Sequence, residues 1–247
     1  MKEAISEQVT VAVADGTSMN AFVARPAGGE QSPGLMIFQE AFGVTSHIRD
    51  VASRFAREGY VAIAPELFHR TAAPGAELSY TDFPAVMPHI QALTNENLQN
   101  DIRAAYSWLQ KDEQTEKDRI GCVGFCMGGR SSYLASATVA LQAAVSFYGG
   151  GIGPSSRGPS LLPFAPQMHA PILFFWGGLD THIPPDQVRP IEDALREAGK
   201  EFVNVTISCA NHAFFRDGGP NYNAQAASLA WALTKEFLEA NVKKSGE

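Results

Sequence analysis

The sequence predicts an α/β fold, a mostly parallel twisted sheet of about eight strands with helices on both faces. Three observations carry that expectation. Short apolar runs alternate with longer amphipathic segments, the pattern of strands joined by crossover helices. Runs such as Tyr60–Ala64 and Ala170–Trp176 read as strands buried on both faces. At 247 residues, the chain suits a single domain, residues 1–247, with one sizeable core.

Each element follows from local chemistry. Val9–Val13 and Met19–Ala24 flank Asp15-Gly16 and predict an antiparallel hairpin, because such a pair tolerates the positive φ of a tight turn. Leu35–Gln39 is a short apolar strand ending at Glu40. Ser46–Glu58 carries Ile48, Val51 and Phe55 at helical spacing, with Gly59 placed as its stop. Tyr60–Ala64 is the next strand, closed by Pro65. Residues 66–97 have little periodicity and contain Pro74, Gly75, Pro84 and Pro88, so a lid or rim is expected there. Leu98–Leu109 is a helix, Ile120–Val123 a strand, and the small-residue run Ser131–Ala140 belongs to the next helix. Ala143–Tyr148, Ala170–Trp176 and Phe202–Ser208 are the later strands; Pro184–Ala198 and Asn221–Leu238 are the last helices. A site is expected at the carboxyl ends of the strands.

Gly124-Phe125-Cys126-Met127-Gly128-Gly129 joins a strand to a helix. It matches the nucleophile elbow G-x-S-x-G of α/β-hydrolases, with cysteine in place of serine. A nucleophile on so sharp a turn is strained, and side chains at 124 and 128 would collide with their neighbours. The following helix aims its first N–H groups at the nucleophile, which favours a thiolate. Neither phosphate-loop template fits, since the spacing is not G-x-G-x-x-G and no Gly-Lys-Ser/Thr follows. The order of later residues extends the match. Asp180 follows one strand in Gly177-Gly178-Leu179-Asp180, and His212 follows the next in Cys209-Ala210-Asn211-His212. Nucleophile, acid and histidine thus occur in the order this fold uses.

Composition excludes several classes. A net charge of −7 and a pI near 5.4 argue against nucleic acid or anionic membrane as partner. No apolar run approaches a membrane span, and the polar N-terminus does not resemble a signal peptide. Three cysteines do not describe a disulfide framework, and a reactive thiol suits the cytoplasm. Cys209 and His212, or Cys122 and Cys126, form no tetrahedral metal set, so neither metal nor cofactor is expected. His47, His69, His89, His169 and His182 read as surface or supporting residues, with His182 close enough to Asp180 in sequence to affect pH dependence. Cys209 reads as a passive thiol.

The chain resembles the dienelactone hydrolase (carboxymethylenebutenolidase-like) family. The matching stretches are Gln39-Glu40-Ala41-Phe42-Gly43, Pro65-Glu66-Leu67-Phe68, the cysteine elbow, Phe147-Tyr148-Gly149, Gly177-Gly178-Leu179-Asp180 and Ala210-Asn211-His212-Ala213-Phe214. The resemblance implies a triad of Cys126, His212 and Asp180, with Glu40 as a fourth active-site residue. It also implies oxyanion donors on Met127 and Ala41, and substrate contacts from Phe42, Tyr148 and Arg216, the last in the family's arginine position, where it either binds the substrate carboxylate or holds Glu40. In the family, a carboxylate at Glu40 keeps the thiol protonated until an anionic substrate frees it to act. The implied reaction is hydrolysis of a small ester or lactone through a thioester, by a monomer or homodimer.

One departure limits the substrate. The family's dienelactone-hydrolysing members use a second arginine from the segment equivalent to residues 71–97, and this segment contains neither Lys nor Arg. It offers Phe83, Val86, Met87 and Ile90 instead, while Arg157 in the loop 149–169 is a substitute cation. A broader or different substrate range than dienelactone is therefore expected. A thiol acyltransferase, or a non-catalytic ligand-binding protein on the same fold, remains the alternative.

Overall fold

The computed structural model describes residues 3–154 and 159–243. Among these residues eight strands form one sheet in the order β1-β2-β4-β3-β5-β6-β7-β8. They are β1 (Ala4–Ala12), β2 (Ser18–Pro26), β3 (Ser32–Phe38), β4 (Val61–Pro65), β5 (Thr115–Phe125), β6 (Ala143–Phe147), β7 (Ile172–Gly177) and β8 (Phe202–Ile207). The α-helices among the described residues are α1 (Ser46–Arg57), α2 (Phe83–Ala92), α3 (Asn95–Lys111), α4 (Met127–Thr138), α5 (Pro185–Glu197) and α6 (Ala224–Leu238). The described residues group into two compact units, the first ending at Gly121 and the second beginning at Cys122.

In the first unit the predicted hairpin forms, with β1 antiparallel to β2 in a register that runs from Ala4 opposite Pro26 to Ala12 opposite Ser18. Asp15 shapes its turn, accepting from both the amide and the hydroxyl of Thr17. β2 is antiparallel to β4, and β3 is parallel to β4. β3 and β4 are buried along their whole length, which explains their unbroken apolar runs. α1 turns Ile48, Val51, Ala52 and Phe55 inward. It ends where expected: Gly59 has φ +92°, and Tyr60 N–H donates to Phe55 O across the stop.

Residues 66–97 differ from the expectation of an irregular segment. Asp82 caps a helical turn by accepting from Ala85 N–H, and Pro84 stands in the first turn, where its missing N–H is not needed. The result is α2, which buries Val86, leaves Met87 and Ile90 half-buried and exposes Phe83. α3 begins three residues before the expected start, because Thr94 accepts from Asn97 N–H and supplies a cap.

In the second unit β6, β7 and β8 are parallel neighbours. α4 packs on β6, and α6 packs on β6 and β7. α4 is buried on nearly every side, which explains its run of Ser, Ala and Gly. α6 starts at Ala224 because Asn223 caps it, accepting from Ala226 N–H. Among the described residues no helix is long and apolar enough to cross a membrane.

Candidate active site

The elbow places a thiol at the N-terminal end of α4. Cys126 has φ +55° and ψ −115°, a left-handed conformation that L-residues adopt at a cost. Its N–H donates to Phe147 O at 3.0 Å, which fixes the strained residue to the end of β6. Gly124 has no room for a side chain. A Cβ there would overlap the Gly128 carbonyl and lie 2.7 Å from Ser132 Oγ. Gly129 is equally confined, 2.7 Å from Phe147 O by the same measure. The half-buried Met127 begins α4, where backbone N–H groups have no partner within the helix.

Asp180 and His212 come from the loops after β7 and β8, and those loops are stitched together. Gly178 N–H donates to Ile207 O, and Leu179 N–H to Ala210 O, each at 2.8 Å. Side chains would prevent this approach: a Cβ on Gly177 would lie 2.7 Å from Ala210 O, and one on Gly178 2.6 Å from Ser208 Cα. The His212 backbone is held at both ends. Its N–H donates to Asn211 Oδ1 at 2.7 Å, and its carbonyl accepts from Asn221 Nδ2 at 3.0 Å.

These loops bring three predicted residues into one line. His212 Nδ1 donates to Asp180 Oδ2 at 2.7 Å, and His212 Nε2 is 3.2 Å from Cys126 Sγ. The Asp180 side chain is 1% exposed and that of His212 14%, so the chain of contacts is nearly removed from water. Burial alone would raise the Asp180 carboxyl, but the hydrogen bond and charge of His212, with the His182 N–H and charge, hold it below its ordinary value. Burial likewise pulls His212 down. The Cys126 charge and the hydrogen bonds to Asp180 and Cys126 outweigh it and push the ring up to about 10.

Tyr148, also in the left-handed region at φ +39°, sets its ring 5.1 Å from the His212 ring. On the loop of Asp180, His182 donates its N–H to Asp180 Oδ1 at 2.8 Å. Its exposed ring stands nearly perpendicular to that of His212, 5.4 Å away. Arg216 is half-buried with its guanidinium laid against Gly219, the residue that closes the turn over it. Cys122 is sealed in β5, where burial pushes its thiol up to about 12, an inert position.

The remaining predicted residues lie in the first unit. Glu40 follows β3 and is 1% exposed; Ala41 is buried beside it. Phe42 packs its ring 4.3 Å from that of Tyr80. Gln39, to which the sequence reading assigned no role, is a clamp. It donates to Glu40 O at 3.3 Å and accepts from Leu67 N–H at 3.1 Å, tying the end of β3 to the turn after β4. A buried amide at a strand end was the available signal, since such a group needs partners. Arg157 lies outside the described residues.

Comparisons with known proteins agree with this architecture. Two curated proteins named "Putative carboxymethylenebutenolidase" are similar to the chain. The one from Synechocystis sp. is 34% identical over 227 residues, 90% of this chain and 92% of the relative. The one from Escherichia coli (strain K12) is 34% identical over 249 residues, 98% of this chain and 90% of the relative. The crystal structure of a "Putative Dienelactone Hydrolase" from Klebsiella pneumoniae superposes with a TM-score of 0.87 at 32% identity, covering 95% of this chain and 98% of that one. The mostly parallel eight-stranded sheet is that of the α/β-hydrolase fold. The model of the dienelactone hydrolase family matches residues 19–242, and the chain belongs to that family.

Proposed function

We propose that this protein is a cysteine hydrolase of small carboxylic esters or lactones. The observation that carries the reading is the buried line Cys126–His212–Asp180, with contacts of 3.2 and 2.7 Å. Family membership supplies the reaction class; the geometry supports the roles. Asp180 keeps the Nδ1 proton in place, leaving Nε2 to exchange a proton with the Cys126 sulfur. The thiolate adds to the ester carbonyl, and negative charge moves to the carbonyl oxygen. The backbone N–H groups of Met127 and Ala41 are the proposed donors to that oxyanion. As the intermediate collapses, the C–O bond breaks and the alkoxide takes its proton from His212 Nε2, leaving a thioester. His212 then removes a proton from water. The hydroxide attacks the thioester, and the carboxylic acid and thiol are released.

Glu40 is the proposed fourth member, acting on the thiol. Its burial supports this, because a carboxylate rarely stays in a protein interior without a purpose or partner. Gln39 holds its backbone in register. The substrate range follows from the cations. Residues 71–97 contain no Lys or Arg, and Arg216 rests against its own loop. A lost charged hydrogen bond weakens an anion by about 1.5–3 kcal/mol, so neutral esters should compete well with dienelactone. A reactive thiol together with an exposed Cys209 suits a reducing compartment, the cytoplasm.

The test is turnover of p-nitrophenyl acetate and of cis- and trans-dienelactone by wild type and Cys126→Ala. Loss of all turnover in a folded Cys126→Ala protein is expected. Undiminished turnover in that variant would remove the cysteine mechanism, and kcat/KM far higher for dienelactone than for neutral esters would remove the substrate reading.

A further inference from the structure

We propose that His182 is a positioning residue of the triad, which acts through Asp180 and His212 to set the lower pH limit of the enzyme. The inference rests on the triad reading above. It starts from two features that no triad role requires. His182 occupies the second lone-pair site of the acid: its N–H donates to Asp180 Oδ1 at 2.8 Å, leaving Oδ2 for His212 at 2.7 Å. The same residue then sets its ring 5.4 Å from the His212 ring, at an interplanar angle of 81°. The backbone therefore orients the acid, and the side chain puts a basic ring beside the base.

The groups around His212 define what that charge does. Asp180 and His182 come from the loop after β7, Cys126 from the start of α4 and Tyr148 from the end of β6. Asp186 stands in the first turn of α5, and Arg216 and Asp217 follow His212 in its own loop. The proposed mechanism adds Glu40. Of these, His182 is the cationic group whose ring stands against His212. When Cys126 and His212 share one proton, the pair is neutral overall; with two protons it carries a full positive charge. Because His212 holds a proton in both states, the second proton removes the thiolate charge that offsets the imidazolium, so a protonated His182 disfavours the second state relative to the first. It therefore delays protonation of the pair as pH falls and extends activity to more acidic conditions. Because the ring is exposed, the effect is modest and screened by salt.

The experiment measures alkylation of Cys126 by iodoacetamide from pH 4.5 to 9, located by peptide mass so that Cys209 does not interfere. Wild type, His182→Gln, His182→Lys, His182→Glu and His212→Ala are compared, each normalised to its own plateau. The expected result is an acid limb displaced upward by about 0.5–1 pH unit in His182→Gln. It should move further up in His182→Glu, stay at or below the wild-type position in His182→Lys, and spread less in 0.5 M than in 0.05 M salt. Superimposed limbs in wild type and all three His182 variants would overturn the inference, as would equal shifts irrespective of charge. If His212→Ala leaves the wild-type profile unchanged, the triad reading itself fails, and this inference with it. Alkylation needs no ester turnover, so the two failures are told apart.

Discussion

His212 carries a signature that stability measurements can read. Its folded value is raised to about 10, against about 6.5 for a free histidine. A raised histidine stabilises the fold fully below its unfolded value, and that contribution is lost as pH climbs through the folded one. The gap in Tm between wild type and His212→Gln should therefore be largest below about pH 6.5 and shrink steadily towards pH 10. Thermal unfolding across that range checks it, and a gap independent of pH would contradict the raised value. Because the Cys126 charge is a leading cause of the rise, Cys126→Ala should bring His212 down by about a unit or more. The imidazole resonances in an NMR titration would register this. Cys126, Tyr148 and Ala213 all have positive φ. Such conformations cost about 1–3 kcal/mol each and persist where surrounding contacts hold them. All three lie at or beside the proposed triad.

At the scale of elements, the elbow and the buried ion cluster are the sensitive joints. In Gly124→Ala, the new methyl meets the Gly128 carbonyl and Ser132 Oγ with no void to enter. A loss of roughly 3 kcal/mol is expected from overpacking against backbone. Activity should fall beyond what lost stability explains, because Cys126 moves with its turn. Denaturant unfolding and kcat measured together would separate the two effects. In the first unit, Asp101 of α3 is fully buried. It accepts from Arg70 Nη1 and Nη2 at 2.9 and 2.8 Å and lies 3.1 Å from His69 Nε2. Arg70 also reaches Asp15 in the hairpin turn, so one cluster fastens three separate segments. Asp101→Ala leaves the guanidinium without its buried partner and should cost about 3–5 kcal/mol. A urea midpoint within experimental error of wild type would refute that assignment.

For the whole molecule, the net charge of −7 sets the long-range field. Anionic substrates approach against that field, and salt screens it over about 10 Å at 0.1 M. If the proposed substrate range is right, kcat/KM for dienelactone should rise with ionic strength, while that for p-nitrophenyl acetate stays level. A falling value for dienelactone would mean that a local cation, not the overall charge, governs its capture. The three proposed triad groups all lie in the second unit, in the connections after β5, β7 and β8. The proposed fourth member, Glu40, belongs to the first.

Much of this was legible in the chain. The alternation of strands and helices along the chain, the glycine elbow and the succession Cys126, Asp180, His212 could be read directly, because strands, glycine turns and helix stops are set by neighbouring residues. The cap at Asp82 was equally local, yet the prolines of residues 66–97 masked it and the segment read as irregular. What the tertiary structure alone decided are the meetings of residues far apart in sequence. These are the Gln39 clamp on the turn after β4, the approach of Gly177 and Gly178 to the loop of His212, and the Asp101 cluster. The His182 ring beside His212 is another. Such contacts depend on where whole elements pack, and local propensity carries no information about that distance. The proposed chemistry is carried by single residues; its geometry came from the packing of loops that no short stretch of sequence contains.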